Sequence, residues 1–211
     1  MVHIVFFDIN YVVCVKPRGV LSEGQGVDCL PKILAEELEQ KGESGELYTV
    51  HRLDRDTEGL MIYARNKRAA ARLSEQIVAG DMKKEYLAIV NGVPKNEGGE
   101  LCDLLFYDRK KGKSYVVDRE RKGVKKAILD YEVIKTQGER SLVRVRLHTG
   151  RTHQIRVQFA SRGMPLVGDR RYGAPADQKT MALWSVKLSF HDPKSGELRE
   201  YNYEPEITRT Y

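Results

Sequence analysis

The spacing of apolar and polar residues predicts a chain with more strands than helices. Short apolar runs typical of strands recur along the sequence, and we expect strands over 3–7, 11–15, 60–64, 84–91, 114–118, 126–135, 141–148, 184–190 and 198–203. Apolar residues at helical spacing predict helices over 28–41, 67–79 and 151–161. The helices do not alternate regularly with the strands. We therefore expect the fold class α+β, with a mixed, largely antiparallel sheet in one domain over 1–211.

The positive charge of the chain is concentrated in one segment. The formal net charge is +6, from 36 Lys and Arg against 30 Asp and Glu. Residues 109–126, here named the basic segment, hold nine Lys or Arg and two acids, so the rest of the chain sums to −1. A second excess lies at 151–171, where five arginines face one acid, Asp169. Such segregation favours a polyanion as partner, and a solvated basic loop is the alternative.

Several classes of protein are disfavoured by composition. No stretch approaches about 18 apolar residues, so we expect no membrane span, and 1–10 lacks the features of a secretion signal. The three cysteines, Cys14, Cys29 and Cys102, are far apart and form no CxxC pair. Buried thiols in a reducing cytoplasm fit this pattern better than a disulfide framework or a cysteine zinc site.

The segment HRLDRDTEG at 51–59 is the first candidate for a catalytic or metal-binding site. It carries three alternating acids, Asp54, Asp56 and Glu58. They match a calcium loop imperfectly, since Arg65 stands where the closing glutamate belongs. His51 with His153 could bind zinc, but no third ligand is suitably spaced, and His153 is better interpreted as structural. The structural alternative for the segment is a turn stabilised by Asp and Thr side chains.

Two further motifs follow. In KKEYLAIVNG at 83–92, Tyr86 lies near the polar start of a strand, where its ring covers either a base or the core, and spacing alone favours the core.

In TGRTHQIRVQF at 149–159, a predicted helix start puts free backbone N–H groups beside Arg151, which favours a phosphate. Arg156 adjoins the buried stripe of this helix and therefore needs an acidic partner, for which Asp54 is a candidate.

Together these segments resemble the RluA-type pseudouridine synthase family. The matching stretches are YVVCVKPRGVLS at 11–22, HRLDRDTEGL at 51–60, KKEYLAIVNG at 83–92 and LHTGRTHQIRVQFASRGMPLVGDRRYG at 147–173. The resemblance implies isomerisation of specific uridines to pseudouridine in structured RNA, either rRNA or tRNA, with base flipping and with neither cofactor nor metal. It also implies three catalytic residues: Asp54 as the nucleophile, Tyr86 as the ring that stacks on the base, and Arg156 as the partner of the aspartate.

Charged and polar residues around these motifs are the expected RNA contacts: Arg52, Arg55, Thr57, Lys84, Lys110, Lys111, Lys125, Lys126 and Arg151. Two alternatives remain at this stage. One is an RNA-binding protein without catalysis, in which Asp54 only pairs with Arg156. The other is a metal-dependent RNA hydrolase that uses the alternating acids.

The sequence departs from the family pattern at two positions. Glu58 stands where the family usually has Ser, and Gln158 where it often has His. Many members also carry an N-terminal S4 RNA-binding domain, whereas family-like sequence begins here within about ten residues of Met1. We therefore expect a stand-alone catalytic domain, a cytoplasmic monomer that binds RNA and no membrane.

Overall fold

A computed structural model describes residues 2–24, 26–176 and 178–206. In chain order its elements are β1 (His3–Phe7), β2 (Tyr11–Lys16), α1 (Leu30–Glu39), β3 (Tyr48–Thr49), β4 (Glu58–Ala64), α2 (Lys67–Ala79), β5 (Lys83–Asn91), β6 (Gly98–Asp108), β7 (Lys113–Val117), β8 (Val124–Gln137), β9 (Arg140–Leu147), α3 (Gln154–Ala160), a 3-10 helix (Arg170–Tyr172), β10 (Leu183–His191) and β11 (Leu198–Asn202). The chain divides into two compact units, one of Met1–Lys84 with Ser185–Pro205 and one of Glu85–Trp184 with Glu206–Tyr211. A single domain over 1–211 stays a prediction.

The first unit is an antiparallel sheet covered by helices. Strand β2 pairs with β1 and β4, β3 also pairs with β4, and β10 pairs with β11. All of β2 is buried, because Tyr11, Val13 and Val15 join a core cluster with residues of β4 and with Ala69 and Leu73 of α2. Gly59 permits a close approach of backbones, since its φ is +121° and an added Cβ would lie 2.2 Å from the Ser185 carbonyl oxygen.

Helix α2 begins and ends at residues that cap it. The Asn66 side chain accepts the Ala69 N–H at 2.9 Å and so caps the first turn. Gly80 takes the left-handed conformation, with a φ of +78°, and ends the helix. Both bounds agree with the predicted range of 67–79.

The second unit is an antiparallel sheet in which neighbouring strands are often not consecutive in sequence, with one short α-helix packed on it. Strand β9 pairs with β5 and β8, and β6 pairs with β8 and β7. Helix α3 is buried from Gln154 to Phe159, so it has no solvent face of the kind that an amphipathic helix shows. The ring of Phe159 meets that of Tyr131 edge-on at 5.7 Å.

The α+β class and the predicted elements are confirmed, with some differences. The short strand β3 and the 3-10 helix were not predicted. Strand β6 was missed because acids interrupt its apolar residues. Helix α3 starts at Gln154, about three residues later than predicted. The expectation of three buried thiols is wrong for Cys102, which is exposed on β6, because successive side chains of a strand point to opposite faces. Among the described residues, no helix is both long and apolar enough to cross a membrane.

Candidate active site

The loop that carries Asp54 is bound by a fully buried lysine. Lys16, the last residue of β2, donates from Nζ to three carbonyl oxygens at 2.8–2.9 Å, those of Pro17, Val20 and Arg55. Burial lowers the pKa of Lys16 to about 8, against the opposing effect of the Asp56 and Asp54 carboxylates. This one side chain therefore ties the 17–20 turn to the residue that follows Asp54.

Further hydrogen bonds join the same two segments. Ser22 Oγ donates to the Leu53 carbonyl at 2.7 Å and accepts the Leu53 N–H at 3.0 Å. Gly19 and Arg55 exchange two bonds, from the Gly19 N–H at 2.9 Å and from Arg55 Nε at 2.8 Å. The residues on both sides of Asp54 are thus held through their backbones, which fixes where Asp54 lies.

Two other residues of this loop have structural roles. His51 Nε2 accepts the Ile62 N–H at 3.1 Å, so the lone pair that a metal would need there is in use. Burial, helped by the nearby Lys84 cation, lowers the pKa of His51 well below its usual value and keeps the ring neutral. Thr57 is 2% exposed and donates its N–H to the Asp54 carbonyl at 3.1 Å. Little of its surface is therefore accessible to RNA.

The charged neighbours of Asp54 differ in their partners. Arg52 forms an exposed ion pair with Glu23. Glu58 is paired with Arg18, whose Nε lies 3.0 Å from its carboxylate, and it also accepts a hydrogen bond from the Tyr203 hydroxyl. The negative charge that distinguishes this chain from the family pattern is thus compensated within the protein.

Lys84 lies at the start of β5, two positions before Tyr86. Its side chain is partly buried, and burial lowers the pKa of Lys84 to about 8. This lysine therefore changes charge close to neutral pH, which an exposed lysine does not do.

In the second unit, Tyr86 is 5% exposed and lies opposite Val145 on β9. Burial of this ring agrees with the interpretation that spacing favoured. Its stacking role stays a prediction.

Arg156, on α3, is bound by an acid that the sequence reasoning did not name as its partner. Its Nε and Nη2 donate to the two carboxylate oxygens of Asp169 at 2.6 and 2.9 Å. Both side chains are buried, at 7% and 1% exposure. The expectation of an acidic partner is met within the same unit by Asp169, and pairing with Asp54 stays a prediction.

Arg151 does not lie at a helix start. It precedes α3 by three residues, and its N–H donates to Gln154 Oε1 at 3.0 Å, so the expected free N–H group is in use. Its Nε donates to the Lys126 carbonyl at 2.9 Å. The Arg151 N–H itself is therefore not available to a phosphate, because the Gln154 side chain turns back to cap the turn before the helix. A phosphate contact of Arg151 stays a prediction.

The basic segment forms the β6–β7 turn, strand β7 and the start of β8. Asp108 Oδ1 accepts the N–H groups of Lys110 and Lys111 at 2.9 and 3.1 Å, which closes the turn. Lys110, Lys111, Lys125 and Lys126 are all exposed. The segment therefore has an ordered backbone and presents its ammonium groups to solvent.

Gln158, the second departure from the family pattern, is buried in α3. Its Nε2 donates to the Leu101 carbonyl at 3.1 Å and to Asp103 Oδ2 at 2.7 Å. The side chain thus links the helix to β6. Among the described residues, no group of three or more His, Cys, Asp and Glu side chains is arranged to hold a metal ion.

Comparison with known proteins assigns the chain to a family. The family model of RNA pseudouridylate synthases matches residues 10–161. The chain is 32% identical over 206 residues to an uncharacterized RNA pseudouridine synthase of Bacillus subtilis, which covers 94% of this chain and 67% of that protein. It is 33% identical over 218 residues to the ribosomal large subunit pseudouridine synthase D of Vibrio cholerae, covering 95% and 66%.

A solved structure shows the same fold. Human RNA pseudouridylate synthase domain containing 4 superposes with a TM-score of 0.78 at 26% identity, covering 97% of this chain and 89% of that one. The chain therefore belongs to the RNA pseudouridylate synthase family, whose members are isomerases. It spans about two thirds of the length of the two bacterial relatives.

Three residues with clear roles were not singled out from the sequence: Lys16, Ser22 and Asp169. All three lie inside stretches that matched the family, the first two at 11–22 and the third at 147–173. The resemblance to the family therefore marked the segments in which these residues lie. Their individual roles could be recognised only from their hydrogen bonds in the folded chain.

Proposed function

We propose that this chain converts uridine to pseudouridine in RNA, with Asp54 as the nucleophile. The observation that carries the proposal is the placement of Asp54 in a loop whose backbone is held on both sides, by Ser22 at Leu53 and by Lys16 at Arg55. A fixed carboxylate can attack or stabilise the sugar or base while the N1–C1′ bond breaks and a bond to C5 forms. Family membership supports the reaction class.

Arg156 and Tyr86 complete the proposed catalytic group. Arg156 is proposed as the cationic partner of the Asp54 carboxylate. The target uridine has to leave its stack to react, which costs a few kcal/mol. Stacking on Tyr86 would offset part of that cost, by roughly 1–3 kcal/mol.

We further propose ribosomal RNA as the first substrate to test. Curated relatives from Vibrio cholerae and Borreliella burgdorferi are named as ribosomal large subunit pseudouridine synthases, and tRNA is the second choice. Contacts to the RNA backbone would come from Lys84, Arg52, Arg55, Arg151 and the exposed lysines of the basic segment. We propose that the protein acts as a monomer in the cytoplasm.

The test begins with total RNA from the source organism after deletion of the gene. Pseudouridines are mapped before and after addition of the purified protein, and one site is then prepared as an unmodified transcript for kinetics. We expect Asp54→Asn to lower the rate at least ~1,000-fold while RNA binding stays within a few fold. Asp56→Asn, an exposed acid of the same loop, is the matched control and is expected to keep most of the activity.

Two results would contradict the proposal. Substantial activity of Asp54→Asn would remove Asp54 as the nucleophile, and an absence of new pseudouridine with the wild-type protein would refute the reaction. Activity should also survive excess EDTA. Loss of pseudouridine formation there would show that the reaction depends on a metal ion.

A further inference from the structure

The guanidinium of Arg156 is enclosed by two residues of the segment 168–173. Asp169 binds its Nε and Nη2 through both carboxylate oxygens. The Tyr172 ring lies against it, with its centroid 5.1 Å from Cζ. A bidentate carboxylate sets the plane of a guanidinium, and a ring packed on that plane prevents rotation out of it.

The backbone of this segment is itself tightly positioned. Gly168 has a φ of +76°, and an added Cβ there would lie 2.0 Å from the Thr180 carbonyl oxygen, so only glycine fits. The Asp169 N–H donates to the Leu166 carbonyl at 3.0 Å, and the Tyr172 N–H donates to the Asp169 carbonyl at 3.0 Å. The two side chains that contact Arg156 therefore start from one compact turn.

Tyr172 is also held at its far end. Its hydroxyl accepts the Ser114 N–H at 2.8 Å and lies 2.9 Å from His153 Nδ1. Burial raises the pKa of Tyr172 to about 12, so the phenol stays neutral beside the arginine. On the same ring, Lys113 Nζ lies 4.9 Å from the centroid. The ring is thus fixed by groups from β7, from the residue before α3 and from α3 itself.

A buried ion pair of this kind needs a reason other than stability. Removing two charges from water costs several kcal/mol each, and well-packed apolar side chains often stabilise a core at least as well. What the pair does supply is a single orientation of the arginine. Because Asp169 occupies the Nε–Nη2 edge, a second carboxylate would have to bind at the Nη1 end.

We infer that Asp169 and Tyr172 are positioning residues, which hold Arg156 in one orientation within its own unit and so prepare it for its proposed action on the nucleophilic aspartate. This inference rests on the proposed function, because Arg156 matters to the rate only if it acts with Asp54. Neither residue needs to touch the RNA. Their loss should therefore lower kcat and leave KM almost unchanged.

The experiment compares Asp169→Asn and Tyr172→Phe with a matched control. Asp130→Asn is that control, since Asp130 on β8 pairs with His148, with Nε2 2.7 Å from Oδ2, in the same unit but outside the proposed catalytic group. On the unmodified transcript we expect Asp169→Asn to lower kcat by about 10–100-fold, because small misplacements of a catalytic group have effects of this size. Tyr172→Phe should lower kcat by about 3–10-fold, and Asp130→Asn by less than about 2-fold.

A purely structural role would give a different result. Thermal denaturation of each variant sets an assay temperature at which all are folded, and the Nε–H resonance of Arg156, assigned with Arg156→Lys, reports the orientation directly. We expect that resonance to shift or broaden in Asp169→Asn and to stay in place in Asp130→Asn. Wild-type kcat in folded Asp169→Asn would overturn the inference, as would an equal loss in all three variants. An inactive wild-type protein would instead refute the proposed function.

Discussion

The Asp54 loop and the basic segment use charge in opposite ways. In the loop and the turn bound to it, charged side chains make contacts within the protein. Lys16 binds three carbonyls, Arg55 binds the Gly19 carbonyl, and Arg18 pairs with Glu58. In the basic segment the backbone makes the internal bonds, and the four lysines considered as RNA contacts are exposed. Buried charge with satisfied hydrogen bonds fixes geometry, whereas exposed charge provides affinity that salt can weaken.

The largest effect expected from this comparison concerns Lys16. Lys16→Met keeps the length and apolar stem but leaves three partly buried carbonyls without their donor. Acceptors that lose a charged donor away from solvent are costly, so the free energy of unfolding should fall by roughly 2–4 kcal/mol. Urea denaturation measures this loss, and Lys32→Met on the exposed side of α1 is the control, expected to change little. Equal stability of the two variants would show that Lys16 does not hold the loop.

The next effect concerns affinity rather than stability. Changing Lys110, Lys111, Lys125 and Lys126 to Gln should weaken RNA binding by about 10–100-fold at moderate salt and reduce the slope of log K against log salt. The control changes four exposed lysines of the first unit to Gln, and so lowers the net charge by the same amount: Lys32, Lys41, Lys67 and Lys194. If both quadruple variants bind alike, only the total charge matters and the basic segment is a solvated surface.

The smallest effect separates Lys84 from the exposed lysines. Its pKa is lowered to about 8, against 10.5 for an ordinary lysine, so it is charged below that pH and loses its proton above it. If its ammonium contacts a phosphate, that contact is complete at about pH 7 and weakens as pH rises through 8, by about several-fold in affinity at about pH 9. The protein without RNA gains stability over the same rise, because the unfolded chain keeps the proton up to about pH 10.5.

Binding titrations of wild type and Lys84→Gln across this pH range provide the measurement. Lys84→Gln should bind more weakly at about pH 7 and show a smaller decrease toward pH 9. Parallel curves for the two proteins would mean that Lys84 does not contribute a titrating contact.

Several elements could be read from the sequence because their signals are local. Helix α2 follows from its apolar spacing, its Asn66 cap and Gly80, all within a few turns of chain. Strand β6 was not recognised because its Glu100 and Asp103 break the apolar pattern, while its pairing with β8 and β7 makes it a strand regardless. Local pattern is overridden when neighbouring strands supply the hydrogen bonds.

The α+β class, the concentration of charge at 109–126 and the proposal of Asp54, Tyr86 and Arg156 as catalytic residues could all be reached from the sequence, the last through resemblance to one family. The contacts that hold these residues are visible only in the folded chain: Lys16 and Ser22 at the Asp54 loop, and Asp169 with Tyr172 at Arg156. The physical reason is distance along the chain. Propensity and capping act over a few residues, whereas the donor and acceptor pairs at these sites are 13 to 39 residues apart and meet only after the chain has folded.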